Sequence, residues 1–266
     1  MSNETRRALA AAVLVAAVVA ALATFRASDP DLGFHFATGR AVAAMRAVPG
    51  TNVLAFTQPD HEWLLHQWAP ATLFELVRAR CGIAGVTIVK IVVVVLTWLV
   101  VFAASWRAAG SARSARYCAV LLTIGGAAAS AFRFVERPLI FTNLAMAIVL
   151  YAIVAYPTAS PIARRRLLLL AGLTTVVASH LHAGAVNVYA MLIVVAIGAA
   201  LEPLARRALD RDPIAPAGRA DALAFATTAA VAFAVSAATL ALYNPHGIRV
   251  LSVPFAMIGD AYQAEH

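Results

Sequence analysis

The sequence predicts an all-α membrane protein with about seven transmembrane helices and a long first outer loop carrying two amphipathic surface helices. Three observations predict it. The 266 residues are 62% hydrophobic and 13% charged, with mean hydropathy +0.81, outside the range of soluble domains. Seven apolar runs approach the ~20 residues that cross a bilayer. The arginines gather in alternate short loops, the pattern that fixes orientation with basic loops inside. Those loops account for the net charge of +8, so nucleic acid is not an expected partner. The lipid bilayer is.

The first run is Ala8–Phe25, preceded by Arg6 and Arg7. With Ala21-Leu22-Ala23 it also resembles a cleaved signal peptide. Either way the next segment lies outside. That segment, residues 26–82, is neither low-complexity nor rich in Pro and Ser, so it should fold. Leu32–Val48 reads as an amphipathic helix with Phe34, Phe36, Val42 and Met45 as its apolar elements. Pro49-Gly50-Thr51-Asn52 is a turn, and Val53–Thr57 a short extended piece. Asp60 can N-cap a second helix running toward Arg80, with Trp63, Trp68, Leu73 and Phe74 as apolar bulk and Pro70 as a kink or restart. The aromatic residues favour the headgroup level.

The remaining runs are Ile83–Ser105, Tyr117–Phe132, Leu139–Tyr156, Leu167–Leu181, Gly184–Leu201 and Ala222–Tyr243. Between them, Arg107, Arg113 and Arg116, then Arg164, Arg165 and Arg166, then Arg206, Arg207, Arg211 and Arg219 mark inside loops. The N-terminus is therefore cytoplasmic. Gly125-Gly126 and the many alanines permit close helix approach. Lys90, within the second run, is expected to snorkel outward. Cys81 and Cys118 fall on opposite sides of the membrane, which excludes a disulfide between them.

On this topology all seven histidines, His35, His61, His66, His180, His182, His246 and His266, lie on the outer side. So does the acidic turn Asp29-Pro30-Asp31. Carboxylates near lipid are costly unless hydrated, paired or bound to a cation. They can end one helix and cap the next, act as general base, or hold a divalent cation. His61-Glu62-Trp63-Leu64-Leu65-His66 invites comparison with the zinc-protease HExxH, but its histidines are five apart, roughly 140° around a helix of ~3.6 residues per turn. Glu62 and His66, four apart, could share a metal or a substrate hydroxyl. Arg133 and Arg137 flank Glu136 in an outer turn, either as a phosphate clamp or as an Arg–Glu pair at a helix end. His180 and His182 reach one cavity only if the helix unwinds near Gly184. In Asn244-Pro245-His246-Gly247, a turn first, His246 beside Arg249 could meet an anion.

Taken in order, these motifs resemble those of the GT-C superfamily of membrane glycosyltransferases, which includes the protein mannosyltransferases and the oligosaccharyltransferase catalytic subunits. Asp29-Pro30-Asp31-Leu32-Gly33-Phe34-His35-Phe36-Ala37-Thr38-Gly39 is similar to a bacterial subgroup's DPDxWWHLxTG. His61-Glu62-Trp63-Leu64 matches its HEWL, and Asn244-Pro245-His246-Gly247 is similar to its NPYG. The resemblance covers essentially the whole chain, residues 1–266, as one module. It implies a bacterial cytoplasmic (inner) membrane enzyme, its site facing outward, that transfers a sugar from a polyprenyl-phosphate donor to an acceptor hydroxyl not identifiable from the sequence. It implies Asp31 as catalytic base with Asp29 second; the residues singled out above, His35, His61, Glu62, His66, Arg133, Arg137, His180, His182 and His246, are then expected around the substrates. No cofactor is required; a divalent cation on Asp29 or Asp31 stays open. Gly33-Phe34 departs from the expected Trp pair, and relatives continue through spans beyond the position of His266. Two other readings stand beside it: a truncated membrane scaffold or lipid-binding subunit, and a metal-dependent hydrolase built from Glu62, His66, His180 and His182.

Overall fold

A computed structural model describes residues 2–27, 29–58, 60–208 and 217–258, with side chains described outside 205–219 and 257–258. The side chains of Arg206, Arg207 and Arg219, and all of Arg211 and His266, thus lie outside the described residues. Nine α-helices are present among the described residues: α1 (Asn3–Ala23), α2 (Leu32–Met45), α3 (Trp68–Ala108), α4 (Arg113–Ala129), α5 (Leu139–Ala155), α6 (Pro161–Leu181), α7 (Ala185–Ala208), α8 (Ala217–Tyr243) and α9 (Val253–Ile258). Short 3₁₀ turns follow α4, α5 and α8. The described residues form no strand, only one antiparallel bridge between Thr51 and Glu62.

Five of these helices are long and apolar enough to cross a membrane: α1, α3, α5 with its 3₁₀ extension to Thr158, α7 and α8. Their outward faces are hydrophobic. Val13 on α1, Ile88 on α3, Val194 on α7 and Leu242 on α8 are each more than half exposed. Apolar surface on this scale is stable against lipid, not water. Thr97, Thr123, Thr175 and Thr228 donate back to the carbonyl four residues earlier, which satisfies their hydroxyls within their own helices.

Two cores meet along α5. One joins α1, α2, α3 and α4 through Val15, Val19, Phe36, Phe74, Val86, Phe102 and Ala127. The other joins α5 to α6, α7 and α8 through Val149, Ala171, Ala178, Val188, Leu192 and Leu240. A buried polar link crosses the second core, where Tyr189 Oη donates to Ser236 Oγ at 2.8 Å and lies 3.2 Å from Ser179 Oγ.

Segment 32–48 is helical over Leu32–Met45 and stops at Arg46, which adopts φ +52°. Leu32, Phe36 and Val42 are buried, while Phe34 and Met45 are exposed. The seat of α2 on α3 depends on Gly39, because a Cβ there would stand 2.3 Å from the Ala71 carbonyl oxygen.

Three local expectations are corrected. Asp60 caps no helix: residues 61–67 run without helix, and α3 begins at Trp68 after Gln67. Pro70 sits in the first turn of α3, where its missing N–H breaks no bond, and the helix instead breaks at Gly82, with φ +65°. Val53–Thr57 is not extended but folds as two turns, with Asn52 Oδ1 accepting from the Leu54 and Ala55 amides at 3.0 and 3.2 Å.

The two ends of the bundle differ chemically. At one, Arg107 Nη2 donates to Thr158 Oγ1 at 2.9 Å, Arg116 pairs with Glu4, and Arg164 donates to the Pro157 carbonyl. At the other, residues 29–31, 62–67, 137, 182 and 244–249 come together. Cys81 and Cys118 are both free and exposed.

Candidate functional site

The second end is built around the turn that follows α1. Asp29 Oδ1 accepts from the Asp31 amide at 2.9 Å, closing an Asx turn that starts α2. Asp31 occupies the N-cap position, yet its carboxylate makes no capping bond. It is left 58% exposed, whereas the Asp29 side chain is fully buried. Arg137, just before α5, joins them. Its Nε and Nη2 donate to Asp29 at 2.5 and 3.1 Å, and Nη2 stands 3.1 Å from Asp31 Oδ2. The pair with Asp29 is a two-pronged guanidinium–carboxylate contact, the geometry that gives such pairs their strength. The paired carboxylates hold the Arg137 guanidinium above its ordinary pKa.

Asp31 and Arg137 face a pocket of about 460 Å³, lined also by Phe34, His35, Gln67, Leu139 and His182. His35 is buried, and its Nδ1 has no hydrogen-bond partner among the described residues. Burial lowers its pKa, and Asp29 and Asp31 partly offset that. His182 leaves α6 in an extended conformation. Its Nδ1 accepts from the Gly184 amide at 3.0 Å and lies 3.3 Å from Thr142 Oγ1. The neutral ring therefore carries its proton on Nε2. Burial, with His66 and His35 nearby, pushes the His182 pKa down to about 4. The ring of His66 meets that of His182 edge-on, with centroids 5.3 Å apart, and its Nδ1 donates to the Leu64 carbonyl at 3.3 Å. Burial lowers the His66 pKa as well. The pocket thus offers one accessible carboxylate, one guanidinium and two imidazoles held toward neutrality, with His66 against His182 from the neighbouring hollow.

A second hollow of about 390 Å³ adjoins it through the shared walls Phe34 and Gln67, and is otherwise lined by Glu62–His66, Val253 and Ala256. A clasp closes that side. Asn244 Nδ2 donates to the Leu65 carbonyl at 2.9 Å, His246 Nε2 lies 3.0 Å from Gly50 O, and Arg249 makes two bonds to Glu62 at 2.7 and 3.0 Å. His246 Nδ1 is also 3.2 Å from Glu62. The Arg249 guanidinium holds the Glu62 carboxyl below the usual range.

Several expected site residues therefore stand elsewhere. Glu62 and His66 do not share a helix face, because their segment is not helical; Glu62 turns to the clasp and His66 packs its ring against His182. The His61 side chain is exposed. His180 faces α8, with Nε2 2.9 Å from Thr239 Oγ1 and its ring against Trp68 and Tyr243. The hydrolase set Glu62, His66, His180 and His182 is thereby dispersed. Among the described residues no three His, Cys, Asp or Glu side chains converge on one point as a metal site. Arg133 is exposed beside Phe132 rather than in the pocket, so Arg133 and Arg137 form no joint clamp.

Sequence reasoning also misplaced Lys90. It does not snorkel. Lys90 and Glu136 are fully buried, with Nζ 2.9 Å from Glu136 Oε1, 3.2 Å from the Phe25 carbonyl and 3.7 Å from the Phe25 ring centroid. The available signal was one lysine in an apolar run and one glutamate at the mouth of another.

No protein-family model, curated protein or solved structure matches this chain.

Proposed function

We propose that the protein is an inverting membrane glycosyltransferase of the GT-C type, with seven spans, its N-terminus in the cytoplasm and its site facing outward. The donor is a polyprenyl-phosphate sugar. The observation that carries the reading is the uncapped, half-exposed Asp31 carboxylate in a pocket beside Arg137, at the end of the bundle away from the arginine-bearing loops. In this reading α4 and α6 complete the seven spans.

Asp31 accepts the proton of the acceptor hydroxyl. That oxygen bonds the anomeric carbon as the sugar–phosphate C–O bond breaks, and the polyprenyl phosphate leaves with the electron pair. Arg137 and the His182 Nε2–H, both on residues lining the pocket, serve in this reading as donors to the leaving oxygen. Asp31 in the pocket and buried Asp29 beside it share one guanidinium, so a divalent cation on Asp31 would aid an anionic donor.

The test is transfer from polyprenyl-phosphate sugars by the purified protein, with and without added magnesium or manganese. Asp31→Asn should reduce turnover by about 10²–10⁴-fold, the usual worth of a positioned base. Wild-type turnover in both Asp31→Asn and Asp29→Asn would sink the assignment. One observation favours a second reading, a lipid-binding membrane subunit: α7 and α8 flank an apolar groove of about 920 Å³ lined by Tyr189, Leu223, Phe233 and Phe255. Lipid retention without any transfer activity would select it.

A further inference from the structure

Lys90 and Glu136 are buried charges that the chemistry above does not use. Two charges inside an apolar bundle carry a desolvation cost, and an apolar pair of similar volume often replaces such a pair without loss of stability. Space filling therefore does not explain them. Their neighbours in sequence do. Phe25, whose carbonyl accepts from Lys90 Nζ, lies four residues before Asp29, and Glu136 immediately precedes Arg137. One ammonium group thus holds the strand of chain bearing Asp29 and Asp31 against the turn bearing Arg137. Arg137 itself is 45% exposed on its side chain, so its aim depends on where its backbone is held.

We propose that Lys90 is a positioning residue, fixing the register between the Phe25–Asp31 segment and the Glu136–Arg137 turn so that Arg137 reaches both carboxylates. Its consequence for catalysis rests on the glycosyltransferase reading. The placement itself does not, and it can be tested without substrate.

The full chain in detergent is treated with a water-soluble carbodiimide and an amine, and labelling of Asp29 and Asp31 is read by peptide mass. In the wild type, buried and doubly bonded Asp29 labels slowly and exposed Asp31 quickly. Lys90→Met alone strands a buried carboxylate, so the deciding variant is Lys90→Met/Glu136→Leu, which removes both charges and keeps the volume. It should keep its helical circular dichroism while Asp29 labelling rises about tenfold, as for loss of a charge-assisted contact. Arg137→Gln should give the same rise, and Lys90→Arg should retain protection. If the double variant loses its helicity, the milder Glu136→Gln decides by the same rise. Wild-type protection of Asp29 in the deciding variant overturns the proposal. In the transfer assay the double variant should lose kcat with KM little changed. Absence of transfer in the wild type would sink the enzyme reading and leave the labelling result to decide this one.

Discussion

Asp29 and Asp31 sit two residues apart, yet the structure assigns them opposite sensitivities. Asp29→Asn replaces one carboxylate oxygen with an amide NH₂ facing the Arg137 donors. The Oδ1 that accepts the Asp31 amide can persist; the two-pronged ion pair cannot. Breaking a buried pair costs ~3–5 kcal/mol. Arg137 is 45% exposed and can rehydrate, so the cost falls below that range, to about 2–3 kcal/mol. On the scale of domains of this size that is a fall of roughly 4–10 °C in midpoint. Asp31→Asn loses one 3.1 Å contact from a side chain 58% exposed, worth at most about 1 kcal/mol. Thermal unfolding followed by helical circular dichroism, run beside the transfer assay, separates them. Asp29→Asn should lower the midpoint, while Asp31→Asn should leave it nearly unchanged and remove turnover. The reverse ordering of the two midpoints would refute the reasoning.

Other outcomes follow from the same geometry. Gly82→Ala forces an L side chain to φ +65° at the break in α3, and should destabilise by about 1–2 kcal/mol in a thermal melt. Asn244→Ala strands the buried Leu65 carbonyl, at about 1–3 kcal/mol, and should raise amide exchange over residues 62–66. His182 is neutral in the folded state, its pKa lowered from 6.5 to about 4. The unfolded chain therefore binds the extra proton, and stability falls as pH drops from about 6.5 toward 4. The loss reaches roughly 3 kcal/mol. His35 and His66 act in the same direction. His182→Gln should flatten the acid limb of midpoint against pH; an unchanged limb would remove His182 as its cause.

How much of this was legible depended on whether the cause was local. The helical class follows from long apolar runs, and the start of α2 from Asp29-Pro30-Asp31, since both are written in neighbouring residues. The partners of the acidic turn were not. Arg137 is far along the chain, and its side chain could equally have paired with adjacent Glu136. Glu136 instead turns inward to Lys90, and only packing of α3 on α5 decides that. The reading of residues 60–67 as helix failed for a physical reason. The Trp63 amide donates to the Gly50 carbonyl and the Asn52 amide to the His61 carbonyl, so this stretch satisfies its backbone across the loop instead of along a helix. His180 and His182 show the same limit. They are two apart in sequence, but α6 ends between them, which sends one to the Thr239 hydroxyl and the other to the pocket.

The clasp also bears on the order of events during synthesis. Leu65 and Asn244 are separated by 179 residues, and at ~5–20 residues per second the ribosome needs roughly 10–35 s to travel from one to the other. For that interval the segment between α1 and α3 has emerged, but the residues that close its far side have not. The hollow lined by Glu62–His66 therefore takes its final form only after α8 is in place. A nascent chain stalled before Tyr243 should leave residues 50–66 open to protease, and completing the eighth helix should protect them.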